Sequence, residues 1–151
     1  MKTFSVQEFM SQPVITISPK EKVTEAHRIM TTLHIRRLPV VDQEKLVGII
    51  TLLDVSEARP PHAETLSPTA LHVSISLMRV EDVMTHNPVT LSTGATILDA
   101  ARLMARHKVS GLPVIDQDHV VGMLTESDAF RAIVRAADEE GRSMPASQAS
   151  H

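Results

Sequence analysis

The chain reads as an α+β protein of two tandem β-α-β-β-α repeats, packed with pseudo-twofold symmetry. Three observations predict this. Shifted by 74 residues, Val6–Val55 aligns with Val80–Ala129 without a gap, and 16 of the 50 positions are identical. The hydrophobic period changes in the same order in both copies, from helical spacing to β-branched runs. Neither copy alone carries enough apolar surface for a core, so the two must pack on each other.

Each copy opens on a turn that leads to a methionine. Ser5-Val6-Gln7-Glu8 has capping-box spacing and runs to Met10, matched by Met84. An extended piece follows at Val14–Ser18 and at Val89–Ser92. Next, Val23, Ala26, Ile29, Met30 and Leu33 make one apolar stripe at helical spacing, matched by Ile97, Ala100, Leu103 and Met104. Two β-branched runs then flank a four-residue polar turn: Leu38–Val41 and Leu46–Ile50 around Asp42–Lys45, then Leu112–Ile115 and Val120–Leu124 around Asp116–His119. That is a hairpin signal. A second helix starts near Asp54 and near Asp128. Arg59-Pro60-Pro61 cuts the first one short, because proline breaks a helix interior; the second runs to about Ala137.

Between the copies, HVSISLM at 72–78 alternates like a strand. Ser67-Pro68, however, resembles an N-cap followed by proline at the first helical position, which favours a helix over Pro68–Leu77. The expected domains are therefore a first repeat at 1–57, a linker with a short helix at 58–78, a second repeat at 79–137 and a disordered tail at 138–151.

Composition sets the class of partner. Net charge is −3 with the eight histidines neutral, so no electrostatic footprint for nucleic acid is present. There is no cysteine, which excludes disulfides and thiolate metal sites. No secretory signal and no bilayer-spanning apolar run is visible. The expectation is a soluble cytoplasmic protein without nucleic-acid or membrane partners.

The candidate site comes from a short motif made twice, GIITLLD at 48–54 and GMLTESD at 122–128. Gly48/Gly122, Thr51/Thr125 and Asp54/Asp128 share one frame. The spacing has two readings. Thr51 or Thr125 caps a helix while Asp54 or Asp128 reaches back from its third position, which stabilises by about 0.5–2 kcal/mol. Alternatively, a carboxylate beside free helix-start N–H groups accepts the hydroxyls of a ribose, while phosphate oxygens sit on the dipole end. Gly48 and Gly122 fall inside β-branched runs, where glycine marks a close approach that a cap alone does not require.

The repeated motifs carry a family resemblance. Val6-Gln-Glu-Phe-Met-Ser11 with Val80-Glu-Asp-Val-Met-Thr85, His34–Asp42 with Lys108–Asp116, and the two Gly-to-Asp turns resemble tandem cystathionine-β-synthase (CBS) domains. The resemblance covers 5–57 and 79–137 and extends loosely to stand-alone bacterial members, some described as acetoin-utilisation proteins.

What the resemblance implies is a regulatory module. Such pairs bind AMP, ADP, ATP or S-adenosylmethionine in the clefts between repeats, form homodimers through their helices, and pass occupancy to a regulated protein. By the family's pattern, apolar residues sandwich the base: Val14, Ile15, Ile35 and Ile49 in the first cleft, Val89, Val109 and Met123 in the second. Thr51, Asp54, Thr125 and Asp128 hold the sugar and phosphate. Arg36 and Arg37 are the first cleft's phosphate readers, with Ser110 and Gly111 in their places in the second. Without the resemblance the two arginines read more readily as solvated surface charges. The resemblance turns Arg36 into the cleft and makes the Asp54 site the one that prefers more phosphate.

No cofactor beyond such a nucleotide is expected, with magnesium entering only as a companion of its phosphates. His27 and His34 stand seven apart on one helix, no two-histidine zinc spacing occurs, and no metal site is expected. No nucleophile elbow or P-loop places a catalytic set, so an enzyme is not expected. The alternative function is a CBS-fold dimerisation or interaction scaffold with no physiological ligand.

Overall fold

The computed structural model describes residues 3–143. It forms two compact units that cut across the repeats: residues 3–14, Val89–Gln117 and 121–143 make the first, Ile15–Pro88 and Asp118–Val120 the second. Among the described residues no helix is long and apolar enough to cross a membrane.

In the second unit, α1 (Val23–Leu33) leads to the hairpin β1 (Arg37–Asp42) and β2 (Lys45–Thr51). Ile17 lies parallel to β1: its N–H donates to Pro39 O and its carbonyl accepts from Val41. The hairpin turn is tighter than the sequence suggests. Asp42 pairs with Lys45, leaving only Gln43 (φ 50°) and Glu44 (φ 67°) at its tip, both left-handed as a two-residue turn between twisted strands requires. Helix α2 (Leu52–Ser56) is a single turn that ends before Arg59-Pro60-Pro61 is reached. The linker takes its helical alternative as α3 (Pro68–Leu77), where Ser67 Oγ accepts from the Ala70 N–H at 3.2 Å. A turn of helix, α4 (Val80–Val83), then precedes β3 (Thr85–His86), which pairs antiparallel with β2.

The first unit repeats the plan. β4 (Leu91–Ser92) runs parallel to β5 (Gly111–Asp116), α5 (Ile97–His107) lies between them in the chain, and β6 (His119–Thr125) completes the sheet. Helix α6 (Glu126–Ser143) follows. It overruns the expected start of a tail at Asp138. Ala136 is still buried and Arg135 still pairs with Glu139, so helical contacts continue past that point. The remainder of the expected tail, 144–151, lies outside the described residues.

The openings are exchanged between repeats. Val6–Met10 belongs to the unit built on the second hairpin: Val6 is fully buried beside Leu112, Val114 and Leu124, and Ser11 bridges Met123. Val80–Met84 packs instead with Leu38, Val40 and Ile50 of the first hairpin. The two cores otherwise match position by position, with Ala26, Met30 and Leu38 in one and Ala100, Met104 and Leu112 in the other. Leu33, expected on the apolar stripe of α1, is 48% exposed, because the chain turns away through a left-handed His34 (φ 56°) one residue later.

Helix α5 carries a full capping box. Asp99 N–H donates to Thr96 Oγ1 at 3.1 Å, and Thr96 N–H donates to Asp99 Oδ2 at 2.9 Å. The Thr96 backbone N–H foremost, and then the Thr96 side chain, hold the Asp99 carboxyl below its ordinary value. The folded state therefore binds this proton less readily than the unfolded chain. The cap's pH-linked contribution is present above the unfolded carboxylate range and is lost as pH falls through the folded value. Wild type is expected to lose its advantage over Asp99→Asn below about pH 4. Urea midpoints measured at a series of pH values check this; a gap between the two proteins that stays constant on acidification would contradict it.

Candidate functional site

Each corner between the second hairpin strand and its following helix is fastened from two directions. In the second unit, β2 ends at Thr51 and α2 begins one residue later. Asp54 N–H donates to Thr51 Oγ1 at 3.1 Å, and Thr51 N–H donates to Asp54 Oδ2 at 2.8 Å. The first amide of the helix, Leu52 N–H, donates to the Arg36 carbonyl at 2.8 Å. Arg37 is the register partner of Thr51. Backbone pairing alone thus brings Arg36, Arg37, Thr51 and Asp54 to one place.

The apolar residues expected there lie next to these four along the chain or on the strands they belong to. Ile49 stands two residues before Thr51, on the same face of the strand by alternation, and is half-buried. Ile35, also half-buried, is held by its N–H to Met30 O at 3.0 Å. Ile15 is 40% exposed, on the extended segment that bridges β1 through Ile17. All of these share the second unit, whereas Val14 groups with the first.

The second corner has the same frame and a different finish. Glu126 N–H donates to the Ser110 carbonyl at 3.0 Å, and Thr125 N–H donates to Asp128 Oδ2 at 2.8 Å. Here the Thr125 hydroxyl also donates to Asp128 Oδ2, at 3.1 Å, and Arg131 Nη2 donates to Asp128 Oδ1 at 2.5 Å. Asp128 is only 3% exposed. A carboxylate that deep needs such partners, because an unpaired buried charge is costly. Asp54 is half-buried, and among the described residues its Oδ1 has no partner. The difference lies one helical turn on, where Arg131 aligns with Glu57, which cannot pair with a carboxylate. Arg131 is the residue that reading the motifs missed; Asp128-x-x-Arg131 at i,i+3 spacing was the available signal.

Of the apolar residues expected in the second cleft, Val89 is half-buried and Val109 is 37% exposed. Met123 is 8% exposed and locked to Ser11 by reciprocal backbone bonds of 2.8 and 3.3 Å. Ser110 contributes its carbonyl to the corner as Arg36 does in the other copy.

Two details shift the chemistry expected from sequence. The close approach marked by the glycines is made by the chain itself. A Cβ on Gly48 would stand 2.8 Å from the Thr85 carbonyl and collide with the Met84 sulfur, and one on Gly122 would stand 3.1 Å from the Ser11 carbonyl and press on Met10. The glycines therefore seat the exchanged openings and supply no independent argument for a ligand. The start of α2 also has less to offer an anion than its position suggests. Leu52 and Asp54 have already committed their N–H groups, so of the first three only Leu53 is left.

Comparison with known proteins places this geometry. The CBS domain model matches twice, at residues 6–60 and 80–135. The chain is 36% identical over 140 residues, 90% of its length, to inosine-5'-monophosphate dehydrogenase of Korarchaeum cryptofilum, but spans only 26% of that enzyme. Among solved structures it resembles the CBS domain pair of protein MJ0100 in complex with 5'-methylthioadenosine and S-adenosyl-L-methionine, at a TM-score of 0.74 and 29% identity, covering 89% of this chain and 99% of that one. It also resembles CBSX2 in complex with AMP, at a TM-score of 0.70 and 28% identity, covering 87% of this chain and 97% of that one. Two family matches over duplicated halves, each with the same helix, hairpin and capped corner, place the chain in the CBS domain family as a tandem pair.

Proposed function

We propose that the chain is a regulatory module that binds an adenosine-containing ligand at the Asp54 corner and passes occupancy to another protein. The observation that carries this reading is the state of Asp54. Its carboxylate is pinned by Thr51 through one oxygen, half-buried, and open at the other. An ionised carboxylate in that position is an acceptor for paired hydroxyls, the group a ribose offers. Ile35 and Ile49 supply apolar walls for a base, and Arg36 and Arg37 supply cations with planar, phosphate-matched donors. That two solved relatives hold adenosyl ligands supports the same chemistry.

Transmission requires that the ligand prefer one conformation over another. The exposed residues Phe130, Ile133 and Val134 of α6 form an apolar stripe that supports association through helices as the output. The same stripe supports the second reading, a scaffold with no ligand. Calorimetric titration with AMP, ADP, ATP and S-adenosylmethionine, with and without magnesium, separates the two. The sensor reading predicts saturable binding, with Arg36→Ala losing the part of the affinity that depends on phosphate while adenosine binds as before. Absence of heat with the whole panel would leave the scaffold. Unchanged affinity of Arg36→Ala for every phosphorylated ligand would remove the phosphate role of Arg36.

A further inference from the structure

The two corners share their Thr and Asp but differ in what holds the acid, and that difference has a functional consequence. We propose that Arg131 closes the second corner, making the chain a pair with one open ribose site and one gated site. This rests on the reading that Asp54 and Asp128 are the ribose-binding acids.

The geometry is specific. Asp128 Oδ2 already accepts the Thr125 amide and hydroxyl, and Oδ1 accepts Arg131 Nη2. A ribose that is to bond Asp128 must first draw Arg131 away. Arg131 is able to leave: its side chain is 61% exposed, while that of Asp128 is 4% exposed. The gate is therefore an exposed cation paired to a buried acid that its own backbone already holds. At the first corner the matching residue is Glu57, the C-cap of α2 three residues after Asp54, and among the described residues Asp54 keeps an unpartnered oxygen. Glu57 is still in right-handed helical conformation, with its N–H on Leu53 O, so its side chain leaves the backbone as that of a helical residue does. An arginine placed there has the same i,i+3 relation to Asp54 that Arg131 has to Asp128.

A site that is open for only a fraction of the time binds more weakly by that fraction. For a charge-assisted hydrogen bond to a buried carboxylate, the expected penalty is about tenfold in Kd. Arg131 acts here through Asp128 and is a positioning residue, so its test needs a readout that a merely structural role would not move. The number and spread of binding constants is such a readout.

The experiment is calorimetric titration of AMP into the full chain as wild type, Arg131→Ala, Arg131→Ala with Asp128→Asn, and Glu57→Arg. Wild type is expected to show one tighter site and a second about tenfold weaker. Arg131→Ala brings the second constant up toward the first, and adding Asp128→Asn removes that gain. Glu57→Arg, which leaves the second corner untouched, weakens the first site by about tenfold. Two equal sites in wild type, or an Arg131→Ala protein whose second site is unchanged while the first still binds, would overturn the gate and leave the ribose-binding reading intact. Absence of binding in wild type and all variants, by AMP and by each of the other adenosyl ligands of the panel, would overturn both. Should Arg131→Ala fail to fold, the Glu57→Arg arm decides: an unaltered first site overturns the gate.

Discussion

Gly48→Ala is expected to lower stability by about 1–3 kcal/mol, toward the upper end of the range for an overpacked core. The added methyl would meet the Thr85 carbonyl at 2.8 Å as well as the Met84 side chain. A side chain can rotate away, but this carbonyl belongs to β3, held in register against β2 through Gly48↔His86 and Ile49↔Thr85. Relief requires the exchanged opening to lift off the hairpin, taking with it Val80 and Met84, which are buried in that core. Gly122→Ala is the internal control. There the main-chain oxygen is 3.1 Å away and the closest atom is the sulfur of Met10, a half-buried and flexible side chain. Thermal unfolding followed by circular dichroism should place Gly48→Ala several degrees below Gly122→Ala, at roughly 2–4 °C per kcal/mol for a chain of this size. Equal melting temperatures for the two variants would mean that the exchanged openings do not seat as described.

Asp54→Ala is expected to reduce affinity for an adenosyl ligand by about 100-fold. Hydrogen bonds to an ionised group are worth about 1.5–3 kcal/mol each, and every 1.4 kcal/mol is tenfold in Kd. The substitution also removes half of the capping box on α2, at a stability cost of about 1 kcal/mol. Asp54→Asn separates the two effects: its amide oxygen still accepts the Thr51 N–H, while the charge that strengthens bonds to ribose hydroxyls is gone. Affinity falling by tenfold or more in Asp54→Asn, at a melting temperature close to wild type, is the outcome expected from Asp54 as a ligand contact. A loss of stability without a loss of affinity would make it a cap and nothing more.

The repeated architecture is legible because its signals are local. Offsets of three and four place Ala26 and Met30 on the buried face of α1, and β-branched runs around a short polar turn make each hairpin. The exchange of openings is not legible, for a physical reason. Val6 and Val80, and Met10 and Met84, are identical pairs, so either opening satisfies either hairpin by pattern, and only the path of the chain decides. The same exchange explains why the glycines misled: a close approach was readable, but not what approaches. The length of α6 was hidden by Asp138–Glu140, a polar run that resembles a tail although Arg135 and Glu139 pair across one helical turn. At the candidate site, the Thr and Asp positions and the capping geometry followed from spacing. The unequal state of the two acids did not, because it depends on Arg131, a residue outside the repeated motif.

The sensor reading rests on a ribose seated on the open oxygen of Asp54. A crystal structure of the chain grown with AMP tests it most directly. Both ribose hydroxyls are expected within hydrogen-bond distance of the Asp54 carboxylate, with the base between Ile35 and Ile49 and the phosphate toward Arg36. A nucleotide bound elsewhere, with Asp54 touching only Thr51, would contradict it.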